Sequence, residues 1–485
     1  MKLLKPLLVI VLITGCTVGP DYQAPEPVNY GLPQTGIEVD TQTSMANLSW
    51  REYYDEPELQ LLIEKALQNN LDFKIARESV LQSLRARGIS DISMLPSFGL
   101  NLDGERDRAS ALTSSEPTID DEFNFNIGLD WQIDLWGKLR RASEASLAQL
   151  QASQANMYGV KVSLIAQTAA LYYELQDINA RTALTESNID ARQSSKKIAD
   201  LRHKQGIISG LDVRQAEVSL AQEKVKLPEL KSSKNQLMFS LSVLIGEPPG
   251  TQIIGQRRDI EAYQGAIPAG MPASLLKRRP DIVAAERAIQ AANAEIGVAT
   301  ADYFPNIQLT GRYGIRSLEL KDILDTGGKS WLWEANIDMP LFDWGRTSMN
   351  VDIAKSLHRV ALLNYQKAVL AAFQDVSSTL EDYQQAFTLF DLRKSLVVAT
   401  RENLRIAELR YSNGVVSYLD VLDAQRNHAT AEQELSSAIK TKQLAMVNLY
   451  RSLGGGWQQP GDDCMSSRDN ENEGTPETDA CLVMD

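Results

Sequence analysis

Leu201-Arg202-His203-Lys204-Gln205-Gly206-Ile207-Ile208-Ser209-Gly210-Leu211-Asp212-Val213 returns in the same chain, 208 residues later, as Leu409-Arg410-Tyr411-Ser412-Asn413-Gly414-Val415-Val416-Ser417-Tyr418-Leu419-Asp420-Val421. Trp136-Gly137-Lys138 returns as Trp344-Gly345-Arg346 at the same spacing, and Pro96 answers Pro305 one residue out of step. A period this long exceeds any small solenoid unit, so it marks a duplicated half-molecule packed against its twin. Each copy of the quoted stretch reads as the turn of a helical hairpin: a helix ends at a Gly cap, Gly206 or Gly414, and a returning helix opens at Leu211 or Leu419.

Upstream of each turn lies a proline-free run with helical periodicity, Gly137 to Lys204 and Gly345 to Ser412. Each run holds 68 residues. At ~1.5 Å per residue such a helix reaches ~100 Å, longer than a globular domain needs. In the second copy Val369, Phe373, Val376, Leu380, Tyr383 and Phe387 fall at alternating spacings of four and three, the seam of a coiled-coil-like contact. The first copy is weaker, with Ile165, Thr168, Tyr172 and Leu175. The return helices run to about Ile245 and Leu453, and Pro228 bends the first. Single helices precede the strands, from Glu58 to Met94 and from Asp281 to Tyr303.

Ahead of each long run the period changes to two. From Phe123 to Leu135 every odd position is apolar and every even one polar or Gly, and Trp333 to Leu341 repeats the pattern. Their partners are Ser97 to Asp103 and Ile307 to Ile315. Alternation of this kind sets one face in an apolar medium and the other in water. For any single strand a half-buried sheet on a soluble core is the alternative. Asp130, Asp134, Asp338 and Arg312 on the polar face suit a wet lumen, while Trp131, Trp136, Trp333 and Trp344 gather near strand ends as an interfacial girdle would. Four strands cannot close a membrane barrel, and an open edge in lipid would leave backbone groups unpaired, so the wall must be shared among subunits. The polar loops Gly104 to Glu122 and Ser317 to Ser330 would face outside the cell.

Composition bounds the rest. The chain has 485 residues, 43% hydrophobic and 23% charged, with a net charge of −14, a balance that argues against a nucleic-acid partner. No apolar run reaches the ~20 residues of a spanning helix. Lys2, Lys5 and the apolar run Leu7 to Ile13 form a short export signal that ends at Thr14-Gly15-Cys16. Ile13-Thr14-Gly15-Cys16 resembles the bacterial lipoprotein box, in which the Cys16 thiol carries the lipid and several acyl chains give stable anchoring; a chance Cys behind a cleavable signal is the alternative. Cys464 and Cys481 are the only other cysteines. An oxidising periplasm would permit a disulfide between them, and two free thiols are equally compatible with the sequence. The three histidines, His203, His358 and His428, have no ligand spacing, so no metal site is expected, and no nucleophile-base pair or phosphate-binding loop suggests an enzyme.

The expected organisation is a signal peptide at 1–15, a lipid-anchored extension at 16–57, a first repeat at 58–245, a linker at 246–272, a second repeat at 273–453 and an acidic polar tail at 454–485.

With these residues placed, the chain resembles the TolC-like outer-membrane efflux factors, in the lipoprotein branch that serves resistance-nodulation-division (RND) pumps. Cys16-Thr17-Val18-Gly19-Pro20-Asp21-Tyr22 looks like that branch's mature N-terminus, and Arg410-Tyr411, Gly414, Ser417, Leu419-Asp420-Val421-Leu422 and Ala424-Gln425 look like its second hairpin tip. The resemblance implies an α+β membrane protein without a cofactor: a homotrimer whose twelve-stranded outer-membrane β-barrel continues into a twelve-helix periplasmic tunnel. It implies a passive gated duct for drugs or other small toxic solutes, driven by an inner-membrane RND pump through a periplasmic membrane-fusion adaptor. The adaptor would contact Gly206, Ile207, Ser209, Gly414, Val415, Val416 and Ser417. Leu419 and Asp423, with Leu211 as first-copy counterpart, match the family's periplasmic aperture; Gln215 stands where the first copy would carry the acid. For Asp423 a solvated helix-face carboxylate is the alternative. Ser412 replaces an Arg that some members use as a latch.

Two other classes compete. A periplasmic adaptor lipoprotein should have one hairpin flanked by soluble β domains. An outer-membrane duct for type I protein secretion would share the pore and differ in its pump.

Overall fold

The computed structural model describes residues 17–25, 48–108, 119–250, 278–322 and 326–455. Cys16, Cys464, Cys481, the export signal, most of the linker and nearly all of the tail lie outside the described residues. In chain order the elements are α1 (Trp50–Tyr53), α2 (Pro57–Asn69), α3 (Leu71–Ile92), β1 (Ser97–Arg108), β2 (Ile119–Ile133), α4 (Lys138–Lys204), α5 (Gly210–Leu244), α6 (Pro280–Ala301), β3 (Asn306–Ser317), β4 (Lys329–Asp338), α7 (Arg346–Ser412) and α8 (Tyr418–Ser452). Both long helices end where their periodicity does and start one residue later than expected, after Gly137 and Gly345, at 67 residues each. Among the described residues no helix is long and apolar enough to cross a membrane.

The chain divides into two compact units. The first holds the described parts of Met1–Val28, Glu78–Asn156 and Asp281–Ala368. Its four strands form one antiparallel sheet in the order β1-β2-β3-β4, with β1 and β4 as open edges. Register puts Leu129 opposite Phe98 and Gly311, and Ile337 opposite Ile307, so the apolar residues of all four strands share a face. Nothing in the described chain covers that face: Phe98 is 71% exposed and Trp331 72%. A sheet resting on a soluble core would bury these side chains.

One expectation about this unit needs correction. The strands run on into the segments expected as loops, over Gly104–Arg108 and Ile119–Glu122, where two ion pairs cross between strands. Arg106 faces Asp121 in register and binds it at 3.3 Å, and Arg316 reaches Glu122 at 3.0 Å. The four tryptophans near the strand ends differ in their contacts. Trp131 and Trp136 donate their indole N–H groups to the helix-end carbonyls of Met94 and Pro305, at 3.0 and 2.8 Å, so these two join strand to helix. Trp333 and Trp344 stay exposed.

Residues 17–25 bind onto this unit. The Val18 N–H donates to the Trp136 carbonyl at 3.0 Å; Arg141, nearly buried, holds Asp21 at 2.8 Å; Asn293 donates to the Pro20 carbonyl at 2.9 Å. The backbones of Gly19 (φ +95°) and Gly297 come so close that a Cβ on Gly19 would lie 2.5 Å from the Gly297 Cα. Tyr22 donates to Glu286, and burial together with that carboxylate pushes its phenol up to about 12.

The second unit comprises the described parts of Asn29–Arg77, Met157–Pro280 and Val369–Asp485. Its main core joins α1 and α2 to the upper hairpin helices through Trp50, Leu59, Ile63, Leu175, Leu241 and Leu449. Tyr53 stacks on Tyr450 at 4.0 Å, and Tyr450 donates to the Leu48 carbonyl at 2.6 Å. Both seams are internal. Val369, Val376 and Tyr383 are buried in the second copy, and Ile165, Thr168, Tyr172 and Leu175 more completely in the first. Thr168 fits there because its hydroxyl donates to the Leu164 carbonyl at 2.8 Å. The helix expected from Glu58 to Met94 is broken at Asn70. That residue leaves helical geometry (ψ 131°), donates to the Leu244 carbonyl at 2.9 Å and accepts the Phe73 N–H at 3.0 Å, so it ends α2 and caps α3.

Candidate functional site at the hairpin tips

Both hairpin turns lie in the second unit and are built alike. After α4, Gly206 takes φ +78°, its N–H bonds the His203 carbonyl and the Ile207 N–H bonds the Arg202 carbonyl. After α7, Gly414 takes φ +73°, with matching bonds to Tyr411 and, from Val415, to Arg410. This is the paired Schellman closure, and it requires the left-handed region that glycine occupies freely. The return helices then start on a reciprocal cap: the Ser209 N–H and hydroxyl both donate to Asp212 at 3.1 Å, and those of Ser417 to Asp420 at 2.9 and 2.7 Å. The Ser417 donors hold the Asp420 carboxyl below its ordinary range. A Ser-x-x-Asp spacing present in both copies carries this signal, and the periodicity reading missed it.

These closures push short apolar side chains outward. Ile207 and Val415 are exposed at the apices, while Ile208 and Val416 turn partly inward. The contacts of the two turns differ most at the matched pair His203 and Tyr411. His203 bonds the Ile208 carbonyl at 3.0 Å, whereas its counterpart Tyr411 lies 5.5 Å from the Tyr418 ring, with the Arg202 guanidinium 4.8 Å from the Tyr411 centroid. A small core of Ala199, Ala216, Tyr418 and Val421 joins the two hairpins here, and burial raises the Tyr418 phenol. Ser412 donates to the Leu409 carbonyl at 2.7 Å, a contact within its own helix.

Leu211, Gln215, Leu419 and Asp423 all line one groove of about 1100 Å³ between α4, α5, α7 and α8. Leu419 is 58% exposed, and Asp423, one turn further along α8, shares its face. Asp423 is not a lone carboxylate: Arg426 donates to Oδ1, and Asn427 donates to Oδ2 at 3.2 Å. The sequence reading left Arg426 out, although its i+3 spacing from Asp423 places it within reach. Deeper in the groove the buried Glu223 takes Lys226 at 3.1 Å and Arg192 at 3.6 Å. Cys16, Cys464 and Cys481, singled out for lipidation and for a disulfide, fall outside the described residues.

A family model described as "Outer membrane efflux protein" matches residues 62–247 and 271–455, one match to each repeat. The antibiotic efflux pump outer membrane protein ArpC of Pseudomonas putida is 33% identical over 94% of this chain and 96% of its own. Among solved structures, the outer-membrane channel OprN superposes with a TM-score of 0.85 at 28% identity, covering 92% of this chain and all of that one. The open state of the Neisseria gonorrhoeae MtrE outer membrane channel superposes with a TM-score of 0.81 at 30% identity, covering 91% and 99% of the two chains.

Proposed function

This chain belongs to the outer membrane efflux protein family and is an outer-membrane efflux channel; from that premise we propose that three copies enclose one duct, which an inner-membrane RND pump loads through a periplasmic adaptor. The observation that carries the trimer is the sheet itself. Its apolar face is uncovered and its edges β1 and β4 are open, a combination that water and lipid both penalise. Pairing β1 of one protomer with β4 of the next removes every edge, and three protomers give twelve strands. The polar face, with Asp130, Arg312 and Asn336, then lines the lumen.

At the other end of the long helices the four-residue set Leu211, Gln215, Leu419 and Asp423 forms the aperture, and threefold symmetry repeats it around the axis. Solute crosses passively, so the chain binds no cofactor and catalyses nothing. The adaptor meets the exposed turns at Gly206, Ile207, Ser209, Gly414, Val415, Val416 and Ser417. Cys16 carries the lipid that anchors the N-terminus. Similarity to a protein named for antibiotic efflux supports small toxic solutes as cargo. A periplasmic adaptor would not carry two hairpins on a sheet with a bare apolar face, and the family match sets that reading aside.

Native mass spectrometry of the detergent-purified protein tests the assembly directly. A trimer that conducts ions in a planar bilayer is expected; a monomeric particle would refute the shared wall.

A further inference from the structure

Asp177 lies within α4 with its side chain 2% exposed, an unusual place for a carboxylate. The Ser436 hydroxyl of α8 donates to its Oδ1 at 2.8 Å in a fully buried contact. Lys440, one turn along α8, approaches Oδ2 at 3.5 Å, and Arg181 of α4 at 3.8 Å. Buried ion pairs seldom stabilise more than apolar packing of the same volume, and their best-attested use is to fix the register of packed helices.

Between the Tyr418–Val421 cluster at one end of α8 and the Leu449–Tyr450 core at the other, apolar packing does little to hold register. Between Val421 and Ala445 the buried positions of α8 are Ala424, Ala429, Ala431, Ser436, Ala438 and Gln443, small side chains apart from the last. Small residues make shallow ridges, which oppose axial sliding weakly. A second polar contact between the two helices, from Gln425 Nε2 to Ser195 Oγ, is long at 3.5 Å. The other pair of matched positions lacks the arrangement: the repeat places Gln385 where the first copy has Asp177, and Pro228 where the second has Ser436.

We propose that Asp177 is the register pin between the hairpins. With Ser436 and Lys440 it fixes the axial position of α8 on α4, and so levels Leu419 and Asp423 with Leu211 and Gln215 at the groove. Its effect on the aperture rests on the duct reading above; the alignment of the helices does not.

Cysteine pairs introduced into the full-length protein in membranes read the register: Ser195→Cys with Gln425→Cys for the observed alignment, and with Leu422→Cys or His428→Cys for slips of about one turn either way. Disulfides are mapped by mass spectrometry, and closed-state conductance is recorded from single particles in a bilayer. Asp177→Leu is expected to move linking from 425 to 422 or 428 and to raise the leak severalfold. Asp177→Asn, which still accepts the Ser436 hydroxyl, should keep the wild-type pattern, and Ser436→Ala should shift it more mildly should the Leu variant fail to fold. Wild-type linking and leak in both Asp177→Leu and Ser436→Ala would overturn the proposal. So would equal loss of assembled protein in the Leu and Asn variants without any redistribution, since that marks general stability. A wild-type protein that fails to conduct would count against the duct and leave the cross-linking arm to decide the pin.

Discussion

Arg312 on β3 lies across Gly128, its register partner on β2, and its two terminal nitrogens each donate to the Asp130 carboxylate at 3.1 Å. Since β2 belongs to the first repeat and β3 to the second, this fork joins the two halves of the duplication at the strand level. Thr310 adds a donor to the same carboxylate at 3.1 Å. The pair works because Gly128 has no side chain.

Glycines along this seam should differ sharply when enlarged. A Cβ on Gly128 would meet the Arg312 Nη1 at 2.7 Å, the far end of a flexible side chain that can swing away. A Cβ on Gly314 would meet the Phe125 carbonyl oxygen at 2.1 Å and the Asn126 Cα at 2.5 Å, which are backbone and cannot yield. Gly314→Ala should therefore abolish β2–β3 pairing, while Gly128→Ala costs about 1 kcal/mol, the scale of one lost hydrogen bond. Heat-modifiable migration and thermal melting of the purified protein distinguish the two.

Charge on the two faces of the sheet is the next case. Ile337→Arg or Leu129→Arg places a guanidinium on the apolar face and should cost about 2–4 kcal/mol near a bilayer midplane. Asn336→Lys, on the polar face, should change outer-membrane levels little. Equal tolerance of the three variants in membrane fractions would contradict a lipid-facing sheet.

At the tips, Gly414→Val forces a β-branched residue into a left-handed backbone at a cost of about 1–2 kcal/mol. Because no atom lies within 4 Å of a Cβ there, the damage should stay local. Normal levels of protein with lost efflux and weakened adaptor cross-linking are expected. Acid acts on the neighbouring cap. The Asp420 carboxyl titrates below its unfolded value of about 3.9, so its contribution is complete above that value and is lost as pH falls through the depressed one. Hydrogen exchange at Ser417 should accelerate only in that acid range, and Asp420→Asn should remove the dependence.

The aperture prediction turns on Arg426. Since that guanidinium already holds Asp423, an aperture at this position would present ion pairs rather than bare carboxylates. Arg426→Ala should raise cation preference, Asp423→Ala should lower it, and Leu419→Ala should widen the closed state. Gln215→Ala should do less than any of these. Reversal potentials under a salt gradient measure all four, and unchanged selectivity in both charge variants would place the constriction elsewhere on the hairpins.

Much of this was legible from periodicity. The hairpins, their Gly caps and the alternation of the strands depend on short-range geometry, which a sequence displays directly. Features that depend on distant partners were not. The charged strand ends look like loops until Arg106 is seen against Asp121 and Arg316 against Glu122. Asn70 reads as one more helical polar residue, and only the Leu244 carbonyl reveals its capping role. Thr168 weakened the first seam on paper although its hydroxyl is satisfied within its own helix. Tyr53 and Tyr450, almost 400 residues apart in the chain, meet in a stack that no local pattern announces.

The N-terminal segment has an implication for biogenesis. Val18, Pro20 and Asp21 leave the ribosome before their seat, which is made of Trp136, Arg141 and Asn293, the last of these 273 positions downstream of its partner. The tight meeting of Gly19 with Gly297 cannot exist until the second repeat has been delivered and α6 has formed. Synthesised before its seat, this ribbon docks only after the seat is complete. Its closure is a natural checkpoint for whether both halves have arrived, and a chain truncated before Asn293 should expose it to proteases even if its first hairpin is intact.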